Sequence, residues 1–281
     1  MAEAASLVAR PVGNVRSLLA LYRAQMRIAI VGTLQYRVYN VVELVLMLSE
    51  PLVYLRVWRI VAEEQGGEVD GFTPARFAAY YIAWSMVRTF TQSGSPHNWE
   101  RQIRDGRMSA VLMRPMHPIH QDVAHWLGFV IARVLTWLPA GAVLCLAFRP
   151  QLDTGPVQVV AFVWAMVGAL VLRTIINDVV GIAAFWVTSI AAIGSLMQVV
   201  ELLTSGRLVP LDLMPGWVQS VSLVLPFRWA FYFPIEVLIG PMSGAELAAG
   251  LAAQGGWVVA MAVFFRVVWR RGVRRYGAVG G

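Results

Sequence analysis

Four histidines, His97, His117, His120 and His125, share one polar stretch with Asp122, and imidazole with carboxylate is a donor set that transition metals accept. The spacing argues against a metal. Pro118 breaks the helix that would align His117 with His120, and no pair sits one helical turn apart at i, i+4. No metal ligand is therefore assigned, and the histidines are read as hydrogen-bonding groups at a membrane surface or toward a partner. A second group is charged residues inside apolar runs: Glu43, Glu50 and Arg133. Glu43 and Glu50 are seven residues apart and share a helical face. Counted from the cytoplasmic ends of their runs, Glu50 and Arg133 both lie about 14 Å deep. A lone charge there costs about 2.5 to 3.5 kcal/mol, so the two are expected to pair with each other. The alternative is that Glu50 faces a transport path and meets a cationic or polar substrate. Gln198 and Glu201, three apart near the outer end of a later run, are candidates for an exit path, unless Glu201 reaches the outer headgroups. Asp178 reads as a helix-end residue at a cytoplasmic turn.

Several chemistries are excluded. All 23 basic residues are arginine, and a phosphate-binding loop of the G-x-x-x-x-G-K-[ST] type needs a lysine. If ATP drives this protein, another subunit binds it, together with its Mg; no cofactor is assigned to the chain itself. The single cysteine, Cys145, removes internal disulfides and cysteine-based metal clusters. Ser195 has no histidine in any later apolar run to activate it, and Arg104-Asp105-Gly106 lacks the downstream paired aspartates of a lipid phosphotransferase.

These residues are positioned by helices in a bilayer. With 281 residues, 58% hydrophobic and 14% charged, and a mean hydropathy of +0.62, the chain has the balance of an all-α integral membrane protein forming a single transmembrane domain over 1–281. On a ruler of about 20 residues per crossing, six transmembrane helices are predicted: 41–60, 77–92, 123–148, 157–176, 179–203 and 247–268. Ahead of them, residues 16–37 form an amphipathic interfacial helix. Arg16, Arg23 and Arg27 lie along one line with Arg37 nearby, opposite Leu18, Leu21, Tyr22, Met26 and Ile28. Between spans two and three, the loop 97–122 carries a short amphipathic helix that Gly106 ends. In it Trp99 and Ile103 share one face, and Glu100, Arg101 and Arg104 form a charged rim. Residues 205–240 are apolar but broken by four prolines, and are read as two short re-entrant helices dipping in from the outer face.

Arginine placement gives the orientation. Arg101, Arg104, Arg107 and Arg114 in the loop and Arg270, Arg271, Arg274 and Arg275 at the end belong with the amino-terminal arginines on the cytoplasmic side, and the acidic 63–70 loop faces outward. Both termini are then cytoplasmic, in a cell membrane. The net charge of +7 is explained by these helix ends and by anionic lipid, not by nucleic acid.

Two segments resemble the permease subunits of type-2 ATP-binding-cassette exporters. One is Ile103-Arg104-Asp105-Gly106-Arg107-Met108 running on to Leu112-Met113-Arg114-Pro115-Met116-His117-Pro118. The other is Ser205-Gly206-Arg207-Leu208-Val209-Pro210-Leu211 through Met214-Pro215-Gly216-Trp217 to Leu225-Pro226-Phe227 and Gly240. The resemblance covers essentially the whole chain. It implies a half-transporter that pairs with a second permease, identical or homologous, and with two ATPase subunits docked on the cytoplasmic loop. On this reading Trp99 and Ile103 seat in an apolar groove of the ATPase, Glu100, Arg101 and Arg104 steer it, and Gly106 aims the helix. The alternative is a secondary transporter or channel not driven by ATP; a requirement for ATP and a partner separates the two.

Overall fold

The computed structural model describes residues 15–114, 117–152 and 154–279. Pro115 and Met116 of the proline turn, and the side chain of Arg37, lie outside the described residues. The described chain is helical, its only extended pairing being the single bridge between Val69 and Phe72. In order, the helices are α1 (Val15–Gln35), α2 (Arg37–Glu64), α3 (Pro74–Phe90), α4 (Pro96–Arg104), α5 (Met108–Leu112), α6 (Ile119–Phe148), α7 (Pro156–Ile182), α8 (Ala191–Thr204), α9 (Gly216–Val224), α10 (Phe233–Ile239) and α11 (Gly244–Val279).

Three of these, Ile119–Phe148, Pro156–Phe185 and Gly244–Tyr276, are long and apolar enough to cross a bilayer, and up to five crossings result if each of two bent pairs counts as one. The bent pairs are Arg16–Gln35 with Asn40–Glu64, at 84°, and Gly216–Val224 with Arg228–Ile239, at 87°. The second coincides with the proline-broken stretch. Helix α9 stops before Pro226, and a π turn over Arg228–Tyr232 starts the next helix.

The predicted fifth span is corrected. Residues 179–203 are not one helix: α7 runs through to Ile182, a 3-10 turn over Ala183–Phe185 follows, and α8 has only 14 residues. That is about 21 Å, short of the roughly 30 Å hydrocarbon core. The polar residues that signalled a surface turn point inward instead. Asn177 donates to the Ser93 carbonyl at 2.9 Å, Arg173 donates to Thr91 Oγ1 at 2.9 Å, and Asp178 is 1% exposed.

After α8 the backbone stays irregular until Pro210, and irregular backbone inside a membrane protein needs its carbonyls satisfied by other groups. One face of α3 does this. Trp84 Nε1 donates to the Arg207 carbonyl at 3.0 Å, the Tyr81 hydroxyl to Leu208 at 3.5 Å, and the Tyr80 hydroxyl to Gly206. Tyr80, Tyr81 and Trp84 also lie at the heart of the main core cluster, with Phe77, Phe231 and Phe233. That cluster includes Phe72 and Leu211, and Val69 and Met214 pack against it. A second cluster joins Trp99, Ile103 and Met108 to Phe185, Ile190, Phe265 and Trp269.

Candidate functional site

Helix α4 is held by its own chain. Its Pro96 occupies the first turn, where a missing N–H costs nothing. Past Arg104, Gly106 adopts φ +72°, the left-handed conformation that ends a helix without Cβ strain. The apolar face is spent internally: Trp99 is 2% and Ile103 7% exposed. The Trp99 ring meets that of Trp269 edge to face, with centroids 5.5 Å apart. Gly181 of α7 makes the seat, since a Cβ there would lie 2.8 Å from Trp99 Cβ and 2.9 Å from the Pro96 carbonyl oxygen. The expectation that Trp99 and Ile103 enter a groove on a partner is therefore overturned. An apolar stripe marks a face that will be covered, and here α7 and α11 cover it.

Two polar contacts lock the seat. Trp99 Nε1 donates to Asp178 Oδ1 at 2.8 Å, so Asp178 is a buried acceptor for α4 and not the helix-end residue expected. Glu100, expected on the rim, is turned inward and accepts the Ile190 N–H at 3.1 Å. Its other oxygen meets His97 Nδ1 at 3.0 Å, and Arg104 stands 3.8 Å away. The hydrogen bond from His97 leads in holding the Glu100 carboxyl below its usual pKa, with the Ile190 N–H and Arg104 assisting. Ile190 opens α8, so α4 touches the ends of both α7 and α8. Neither Asp178 nor Gly181 announces itself in the sequence; their signal is the bulk of Trp99, which needs both a cleft and an acceptor.

Arg101, Arg104, Asp105, Gly106, Arg107, Met113 and Arg114 remain exposed. The four histidines occupy separate surroundings. His97 faces Glu100, His117 lies 4.9 Å from the Trp269 ring between centroids, and Tyr22 Oη is 3.2 Å from His120 Nδ1. His125 is exposed, and no group of three or more potential ligands among the described residues could hold a metal.

The intramembrane charges pair differently from expectation. Arg133 binds Glu43, not Glu50, and Glu50 binds Arg88, a partner the sequence reading overlooked. Depth counting fails because it needs a common origin. Arg133 is 14 residues into α6 and Glu43 six into α2, so the two helices begin about 12 Å apart in height. Glu201 bonds Arg173 at 3.3 Å, so it does not extend to headgroups. With Gln198 it lines a cavity of about 290 Å³ shared with Asn177, Gly194, Pro96 and His97, at the end that carries α4, not the opposite end.

Long apolar helices around half-buried charge pairs, with a short amphipathic helix braced against them, fit a multi-pass membrane protein. The model of ABC-2 family transporter proteins matches residues 48–280, and the chain belongs to that family. No curated protein matches it.

Proposed function

We propose that the chain is the membrane half of an ATP-driven exporter, with a second permease beside it, identical or homologous, and two ATPase subunits bound on α4 and α5. ATP and its Mg belong to those subunits. The observation that carries this reading is the mounting of α4. One face is fixed to α7, α8 and α11 through Trp99, Glu100 and Asp178, and the other presents Arg101 and Arg104 to solvent, with exposed Arg107 just past the helix end. A push on that face travels into three helices at once. The exposed arginines set partner choice and encounter rate, as rim charges do.

The test is capture of a cognate ATP-binding-cassette ATPase on the purified, detergent-solubilised chain. Arg101→Glu with Arg104→Glu should weaken capture at least tenfold, about 1.4 kcal/mol, and abolish ATP-dependent transport in proteoliposomes. Arg56→Gln, on an exposed arginine of α2, should bind as wild type. Full capture and transport by the double reversal would move the docking face elsewhere, and transport without ATP would favour the secondary transporter.

A further inference from the structure

Between α2, α3, α7 and the irregular segment after α8 lies a half-open cavity of about 350 Å³, lined by Glu43, Arg88, Gln92, Arg173, Arg207 and Leu46, with Phe231 at its back. Its volume falls within the range of about 300 to 1,000 Å³ typical of small-molecule sites. Three guanidiniums lining one cavity inside a membrane protein are costly, and such residues mark substrate paths.

The charge does not cancel. Arg88 pairs with Glu50, Arg133 with Glu43, and Arg173 with Glu201. Arg207 has no carboxylate among the described residues, and its Nε is buried without a hydrogen-bond partner. Four cations against three anions leave one positive charge, and it belongs to the cavity wall. The backbone of Arg207 is pinned at the cavity, because its own carbonyl is held by Trp84 and the carbonyls on either side by Tyr80 and Tyr81. Its α2 side is apolar where Leu46 lines it: Leu46 is 65% exposed, and Val42 and Val45 of the same helix are exposed beside it.

We propose that this cavity binds the anionic headgroup, phosphate or carboxylate, of an amphiphile whose chain lies along the exposed face of α2. Guanidinium suits the task, since its planar fork meets either oxyanion with two parallel hydrogen bonds. The proposal deepens the exporter reading by giving the substrate a charge sign, opposite to the cationic one that Glu50 alone had implied. Glu50 is committed to Arg88.

The experiment uses the full chain in nonionic detergent without ATPase, so that it reads binding apart from coupling. The melting temperature is followed against dioctanoyl phosphatidate, dioctanoyl phosphatidylcholine, inorganic phosphate and dodecyltrimethylammonium. Phosphatidate should raise it saturably and the other three should not. Arg207→Gln should weaken the phosphatidate midpoint at least tenfold, Arg207→Lys should retain part of it, and Arg270→Gln, on an exposed arginine of α11, all of it. Glu201→Gln, which frees Arg173, should tighten it. The proposal is overturned if phosphatidate gives no shift, if Arg207→Gln keeps the wild-type midpoint, or if Glu201→Gln weakens it. An equal shift from inorganic phosphate would make the site one for a free anion, and protection by the quaternary amine would reverse its sign; either result sinks the amphiphile. Unchanged ATPase capture by Arg207→Gln keeps the outcome separate from the docking reading.

Discussion

His117 is poised as a neutral base within an aromatic nest. Its Nδ1 accepts the Ile119 N–H at 3.3 Å, which requires that nitrogen to be unprotonated, and its ring packs on Trp269 and Phe265. Burial, aided by His120, lowers its pKa from 6.5 to about 4. For a histidine depressed in the folded state, the unfolded chain takes up the proton first. Stability from this group is complete above pH 6.5 and drains away as pH falls toward 4. His117→Phe keeps the ring packing and removes the titration. Wild type should therefore lose several degrees of melting temperature relative to His117→Phe between pH 7.5 and 5, with the two parallel above pH 7; parallel curves throughout would refute the assignment. At this scale the sequence showed which residues were charged or buried within apolar runs, but not their partners. Arg88 and Glu43 were as visible as Arg133 and Glu50, and only the relative heights of the helices decide who meets whom.

At the scale of elements, α4 depends on one glycine it does not contain. A Cβ at Gly181 meets Trp99 Cβ and the backbone of Pro96 under 3 Å, and backbone cannot yield as a flexible side chain can. Gly181→Ala should push α4 away from α7 at a cost of about 1 to 3 kcal/mol, the usual range for overpacking. It should also loosen Trp99 from Asp178. The checks are a lower melting temperature and faster tryptic cleavage after Arg101 and Arg104 in inside-out vesicles. Unchanged stability and cleavage would mean that Gly181 is not the seat. The existence of α4 and its stop at Gly106 were legible from amphipathic spacing and one glycine, but the separate helix from Met108 was not. The burial of α4 was not legible either, because periodicity identifies an apolar face without naming the surface that covers it. The short α8 was misjudged for a related reason. Arg173, Asn177 and Asp178 looked like a surface turn, yet inside a bundle polar side chains turn to one another and the helix carries on.

At the scale of the whole molecule, the bundle segregates its charge between two ends. The second core cluster ties α4, the end of α7 and the basic end of α11 together through Phe185, Trp269 and Tyr276. The main cluster gathers Val69 and Phe72 of the acidic loop with Leu211, Met214 and Ile239. Arg101, Arg104 and Arg107 therefore share an end with Arg270, Arg271, Arg274 and Arg275, whereas Glu63, Glu64, Glu68 and Asp70 lie with the other set. Retention of arginine on the cytoplasmic side then orients the whole bundle. With Cys145→Ala as background, Glu64→Cys and Gly216→Cys should react with an impermeant thiol reagent in intact cells. Both positions are exposed, and a side chain at Gly216 meets nothing within 4 Å. Arg107→Cys and Arg274→Cys should react only after the membrane is opened. Labelling of Arg107→Cys in intact cells would put α4 on the outer side, out of reach of a cytoplasmic ATPase, and with it the coupling role proposed for the seated helix would fall.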